Sequence, residues 1–318
     1  MNNKQVLELF SDAEINTRRL QELSNLLVHL KKIKIEPLLL KGAGLIKTVY
    51  PHPALRVMGD IDLLIKPDEF NSARKLLISE NYQSVSRDIG HFLKSTSFKM
   101  LIDLHWDIWY LKKDEFENLW KESLSFSLND ASPPDQMFCQ AGAKTLAAEE
   151  HFIYIAVHSI LHHGILDMVR LQDLTMLINH TTNFNWSLLV KKIKGYQLET
   201  LLSIVLERLQ EIQPEIIPAS VFTQLRHKGL NRFLSKLMKQ VISRSAIPNI
   251  GNILKINAVR GFRGKVRYFL SYLFPSELFI KEKYPLISKY PLLLYCYYLH
   301  RPIYLTCQGI RLLSRNLT

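Results

Sequence analysis

The chain has 318 residues and a mass of 37.0 kDa, enough for one large domain or two ordinary ones. Hydrophobic residues make up 47% of it and charged residues 22%, which excludes a disordered or fibrous chain. Three cysteines without a Cys-x-x-Cys pair exclude a disulfide scaffold and argue against a cysteine-based zinc site.

The net charge of +12 is unevenly spread. Residues 219–318 hold 17 Lys+Arg and only two acids, Glu277 and Glu282, whereas residues 1–218 hold 24 Lys+Arg and 27 Asp+Glu. Such asymmetry suggests an anionic partner for residues 219–318, or simply a solvated basic surface. The N-terminal stretch is polar and amphipathic without an apolar signal core, so the expected location is cytoplasmic. No apolar run reaches the roughly 18 residues of a membrane span.

In chain order, residues 4–34 carry apolar side chains at helical spacing and predict one or two helices. The run Pro37–Leu40 reads as a buried strand leading into a tight turn at Lys41-Gly42-Ala43-Gly44. A short helix over Leu45–Tyr50 follows, then a second strand at Asp60–Ile65. A helix over Glu69–Glu80 is expected, with Asp68 as its N-cap. Tyr82–Ser86 and Phe98–Trp106 read as further strands. After Trp109 the periodicity is helical: Glu149–Asn179 with a turn near Gly164, then 186–212 and 219–243. The aromatic tail from Tyr284 is interrupted by Pro285, Pro291 and Pro302. Ser132-Pro133-Pro134 is the best break. The expected fold class is α+β: a small mixed sheet flanked by helices over residues 1–130, then a mostly helical, basic region over 131–318.

Strand alternation puts Asp60 and Asp62 on one side and Ile61, Leu63 and Ile65 on the other, toward the core. Two like charges on one strand face repel unless a cation lies between them, and hard oxygen ligands suit Mg²⁺ or Mn²⁺. The alternative is a strand end with two solvated acids. Asp103, in the apolar run Leu101–Trp106, is the candidate third carboxylate. His105 shares its face and either orients a ligand or packs. Two metals held this way can activate a hydroxyl and stabilise a leaving pyrophosphate. The Gly42 and Gly44 turn can let the backbone approach a phosphate, with Lys41 adding charge. Arg56 reads either as a nucleotide contact or as a structural partner of the carboxylate strand. His158 and His162 lie one helical turn apart, a spacing compatible with zinc, or with a polar seam in which Asp173 pairs with Arg170.

Strand, Lys-Gly turn, helix, Arg-x-x-x-Asp-x-Asp strand and then Asp-Leu-His-Trp together resemble the uncharacterised minimal nucleotidyltransferases of the polymerase-β-like superfamily. The resemblance covers residues 37–110 well. It extends more weakly to His158, His162, Arg170 and Asp173, and to Phe274-Pro275-Ser276 and Tyr284. Lys41-Gly42 stands where that superfamily usually has Gly-Gly or Gly-Ser. The resemblance implies Asp60, Asp62 and Asp103 as metal ligands, with Lys41, Gly42 and Arg56 near the nucleotide. It implies a nucleoside triphosphate as donor. The acceptor is left open among a small molecule, a glycan, a protein and RNA. A rival expectation is a non-catalytic module of the same fold whose basic C-terminal region binds RNA or an anionic membrane surface.

Overall fold

The computed structural model describes residues 3–85, 90–95, 99–126, 143–163, 166–225, 255–256, 259, 261–277, 280–281 and 284–317. The chain divides into two compact units, residues 1–248 and 249–318. The break at Ser132–Pro134 lies outside the described residues.

In the first unit a mixed seven-stranded sheet is assembled from β1 (Leu38–Leu39), β2 (Ile61–Leu64), β3 (Gln83–Ser84), β4 (His91–Ser95), β5 (Lys99–His105), β6 (Leu124–Phe126) and β7 (Ala143–Thr145). The strand order is β3-β4-β5-β2-β1-β7-β6. The β2/β5 and β1/β7 pairs are parallel, and the others are antiparallel. One face of the sheet is covered by α1 (Asn3–Lys32) and α3 (Phe70–Ser79). On α1, Leu20, Leu23, Leu26, Leu27 and Leu30 recur at spacings of three and four, which lines one helix face with leucine. They pack with Ile61, Leu63, Ile65, Ile102 and Leu104, the core face that alternation predicts for β2 and β5.

The opposite face meets α5 (Ala148–His158), on which every residue from Ala148 to Val157 is buried. A helix buried all round is a central helix, and α5 packs against α6 (Met168–His180), α7 (Trp186–Tyr196) and α8 (Glu199–Ile212). A second, polar core lies here: Tyr196 donates to buried Glu150 at 2.8 Å, and Lys192 lies 3.0 Å from the same carboxylate. Helices α4 (Lys113–Glu122) and α9 (Ala219–Leu225) also belong to this unit.

Several local expectations are corrected. Lys41–Leu45 is a short helix, α2, where the sequence pattern suggests a turn. The residue capping α3 is Glu69, without a side-chain cap bond, and not Asp68. His91–Ser95 forms a strand that its mixed polar pattern did not announce. The long helical pattern of 149–179 splits into α5, a π-turn at Ser159–His163, and α6; Gly164 itself lies outside the described residues. Of the helix expected over 219–243, α9 covers the start and 226–243 lie outside the described residues.

The second unit contains α10 (Phe262–Leu273), α11 (Pro285–Lys289) and α12 (Leu292–Leu317). Pro302 sits inside α12 and does not end it. Arg301 links α12 to α10: its Nε donates to the Tyr272 carbonyl at 2.9 Å, and its guanidinium lies 5.3 Å from the Tyr272 ring. Leu292, Tyr295, Leu299 and Ile303 form an exposed stripe along α12, and Phe262, Val266, Phe269 and Leu270 form one on α10.

Candidate active site

The site is built where strands β4, β5 and β2 lie side by side. Asp62 is the register partner of Asp103, and Asp103 is the partner of His91. Register partners project from the same sheet face, so these three side chains form a row across three strands. His105 lies two residues beyond Asp103 on the same face.

Asp62 is only 2% exposed. Burying a carboxylate is costly unless it is paired and hydrogen-bonded. Here Lys41 Nζ lies 2.7 Å, and His105 Nε2 2.8 Å, from the same oxygen, Asp62 Oδ1. Burial by itself pushes this carboxyl up; Lys41 and His105 outweigh it and hold the group at about 2, so Asp62 is an anion at neutral pH. Lys41 adopts a φ of +46°, the left-handed region that a non-glycine residue enters at a cost. Such strain clusters at functional sites.

Asp103 behaves differently. His105 Nε2 lies 3.4 Å from Oδ2, and His91 Nδ1 lies 3.3 Å from Oδ1. Burial pushes the Asp103 carboxyl up and the neighbouring Asp62 adds to this, while His105 and His91 oppose it. Two carboxylates in adjacent register, one firmly charged and one reluctant, are the pattern of a metal or proton-transfer site.

Helix α5 faces this row with His151, Tyr154 and His158. The His158 ring lies 6.4 Å from that of His105 in an edge-on arrangement and stacks on His162 at 4.5 Å. His151 is buried, and burial brings it down to about 3 against the pull of Asp62, so it is neutral. Its Nε2 has no hydrogen-bond partner among the described residues. The Tyr154 phenol is pushed up by burial and by the negative field of Asp62, Asp103 and Asp60, which keeps it protonated.

The structure thus brings Lys41, Asp62, Asp103 and His105 together. Asp60 stands one residue before β2, and the groups that feel its charge include Arg19 and Arg56. Among the described residues, the group of His, Cys, Asp and Glu side chains able to hold a metal ion is Asp62, Asp103 and His105, with ligand atoms within 4.8 Å of one another. Gly42 lies against Met58 and the Arg56 guanidinium. Gly44 is pressed against its own chain: an added Cβ would meet Thr145 Oγ1 at 2.3 Å and the Leu39 carbonyl at 2.7 Å. A hydrogen atom is what fits there.

Arg56 makes a two-pronged contact with Asp173 on α6, Nε to Oδ1 at 2.7 Å and Nη2 to Oδ2 at 2.9 Å. The Tyr50 hydroxyl donates to Oδ1 at 2.7 Å. Asn16, fully buried on α1, donates to the Pro53 and Arg56 carbonyls at 2.8 Å each and accepts from the Met58 amide at 3.2 Å. The segment entering β2 is therefore fastened from both sides. Asp173 pairs with Arg56, not with Arg170, which bonds to Asp167. Asp173, the acid named beside His158 and His162, is thereby committed elsewhere. His91, Tyr50, His151 and Tyr154 carried no local sequence signal. The Lys41–Asp62 pair was foreshadowed only by the Lys-Gly after a strand.

A family model described as "Uncharacterised nucleotidyltransferase" matches residues 8–214, well over half of the chain. No curated protein matches. A solved structure titled "Crystal structure of an antigenic nucleotidyltransferase-like protein from Paracoccidioides brasiliensis" matches with a TM-score of 0.44 and 15% sequence identity, over 66% of this chain and 94% of that one.

Proposed function

The chain belongs to this uncharacterised nucleotidyltransferase family, and we propose that it transfers a nucleoside monophosphate from a nucleoside triphosphate to a hydroxyl or phosphate acceptor, releasing pyrophosphate. The observation that supports this reading best is the in-register pair Asp62–Asp103 on two parallel strands, with Lys41 on the Asp62 carboxylate.

The donor set fits a divalent cation: a carboxylate ionised at neutral pH, a second beside it, and an imidazole within reach. Asp62 and Asp103 would hold Mg²⁺ or Mn²⁺, with Asp60 as the third carboxylate of this reading. When bound, the metal supplies positive charge to the triphosphate and makes the acceptor hydroxyl easier to deprotonate. Lys41 carries the charge for the triphosphate oxygens. The acceptor oxygen forms its bond to the α-phosphorus as the bond to pyrophosphate breaks, and Asp103 takes the acceptor proton. Arg56 acts at one remove: clamped to Asp173 beside Gly42, it fixes the segment that delivers β2 to the site.

A thermal-shift panel of ATP, GTP, CTP and UTP, each with Mg²⁺, Mn²⁺ or chelator, tests this reading. At 100 times its dissociation constant a ligand of the folded state adds about 2.7 kcal/mol. The expected result is a metal-dependent shift with at least one nucleotide that Asp62→Asn abolishes. Equal shifts in wild type and Asp62→Asn would refute the site.

A second reading concerns the second unit. Its exposed stripes on α10 and α12 lie beside Arg263, Lys265, Arg267 and Lys289 in a stretch nearly devoid of acids. Apolar and basic groups side by side suit an anionic partner, either RNA or an anionic membrane surface. Co-sedimentation with phosphatidylserine vesicles and titration with single-stranded RNA separate the two. Binding to neither removes the reading.

A further inference from the structure

We propose that His105 is itself a metal ligand, taking the place beside Asp62 and Asp103 that the transfer reading above gives to Asp60, so that the site is a two-carboxylate, one-imidazole site that prefers Mn²⁺ to Mg²⁺; in all else this rests on that transfer reading.

The argument begins with where the imidazole points. Its Nε2 lies 2.8 Å from Asp62 Oδ1 and 3.4 Å from Asp103 Oδ2, between the two carboxylates. A histidine that merely orients a ligand bonds to the outer side of one carboxylate. His91 has that geometry: its Nδ1 is 3.3 Å from Asp103 Oδ1, the oxygen that His105 does not approach. His105 instead approaches one oxygen of each acid.

Charge places the cation at the same point. Lys41 Nζ and His105 Nε2 converge on one oxygen of a buried carboxylate, at 2.7 and 2.8 Å. Without an ion, an ammonium and an imidazole N–H share the task of compensating Asp62. A divalent cation bound by Asp62, Asp103 and Nε2 takes over that task. Lys41 is then released from Asp62 and free for a phosphate oxygen. The ring is held for the purpose by β5 and by the edge-on contact with His158.

Donor chemistry sets the preference. Mg²⁺ demands oxygen ligands at near-ideal octahedral positions and keeps its waters, whereas Mn²⁺ stands above it in affinity for nitrogen-containing sites and tolerates imidazole. Replacing one oxygen donor by an imidazole nitrogen therefore tilts the site away from Mg²⁺.

The full chain is titrated with Mn²⁺, with and without ATP. Loss of the free-ion EPR signal gives the affinity, competition gives that of Mg²⁺, and pulsed EPR reports nitrogen coupling to the bound ion. Wild type is expected to bind Mn²⁺ more tightly than Mg²⁺ and to show imidazole ¹⁴N coupling. His105→Ala is expected to lose the coupling and at least about tenfold in Mn²⁺ affinity, with less than about a threefold change for Mg²⁺. His105→Asn, which keeps a donor for Asp62, guards against a mere folding defect and is expected to lose the imidazole coupling as well. His91→Ala is expected to retain it. Bound Mn²⁺ without nitrogen coupling in wild type, coupling that disappears in His91→Ala, or equal affinities for the two ions would each overturn the proposal while leaving the transfer reading intact. Absence of Mn²⁺ binding under every condition would overturn it too, and the nucleotide panel then decides the transfer reading separately.

Discussion

Two buried aspartates in the first unit invite comparison. Asp62 and Asp173 are both about 2% exposed by side chain, and each is neutralised by one basic residue and one further donor. Asp173 is clamped by Arg56 through two bonds and by the buried Tyr50 hydroxyl. Arg56 is 14% exposed, and a planar two-pronged contact leaves little freedom. Asp62 is held by Lys41 and His105, each about 20% exposed, and both donors crowd onto a single oxygen. A lysine is a point charge on a flexible stem and exchanges partners readily. Burial alone therefore does not distinguish a site from a strut. What distinguishes them is whether the compensating groups can leave.

The largest expected effect tests that contrast directly. Arg56→Ala leaves Asp173 buried and short of its cation, a change that costs about 3–5 kcal/mol. Lys41→Gly should cost less than half as much in urea denaturation, because glycine relieves the left-handed backbone and His105 still donates to Asp62. Mn²⁺ should restore stability to Lys41→Gly and not to Arg56→Ala. Equal losses in the two variants, or no rescue by the ion, would make Asp62 a second strut.

This contrast also marks how far the sequence could be read. Alternation in 60–65 identified the buried β2 and its core-facing Ile61, Leu63 and Ile65, and the same logic located Asp103 and His105 on β5. These signals are local and need only a strand's two-residue period. The clamp was illegible because Arg56 and Asp173 lie 117 residues apart, and no periodicity encodes which of several basic residues meets a given acid. Arg170 was the nearer candidate by spacing, yet it bonds to Asp167, which caps the start of α6. Asp60 shows a further limit. The Asp-x-Asp spacing implies two equivalent ligands, but β2 begins at Ile61, so only Asp62 has its face fixed by strand pairing. The Lys41–Leu45 helix was missed because glycines signal turns, whereas Gly44 is demanded by close packing on Thr145.

A smaller effect sharpens the comparison through pH. The Asp62 carboxyl sits at about 2 in the folded chain, below the value of an unfolded aspartate near 3.9. A depressed carboxyl contributes stability that is fully present above the unfolded value and lost as pH falls through the folded one. Between about pH 5 and pH 1 the protein should therefore lose about 2–3 kcal/mol through this group. Asp62→Asn should flatten that part of the stability curve. An unchanged slope in the variant would mean that Lys41 and His105 do not hold Asp62 in its charged form.

The smallest effect concerns Asp103 and has the opposite sign. Burial and the adjacent Asp62 charge disfavour its ionised form, so at neutral pH the folded chain carries a carboxylate that it would rather protonate. A raised carboxyl opposes folding in full above its folded-state value, less as pH falls from there toward the unfolded value, and not at all below the unfolded value. Asp103→Asn removes the charge and keeps the shape, and in the absence of metal it should stabilise the chain by on the order of 0.5 kcal/mol, the scale of gain when a functional compromise is removed. The same substitution should abolish Mn²⁺ binding. The two readouts must move in opposite directions: an acid kept only for structure would cost stability when replaced, whereas an acid kept for a cation strains the chain until the cation arrives.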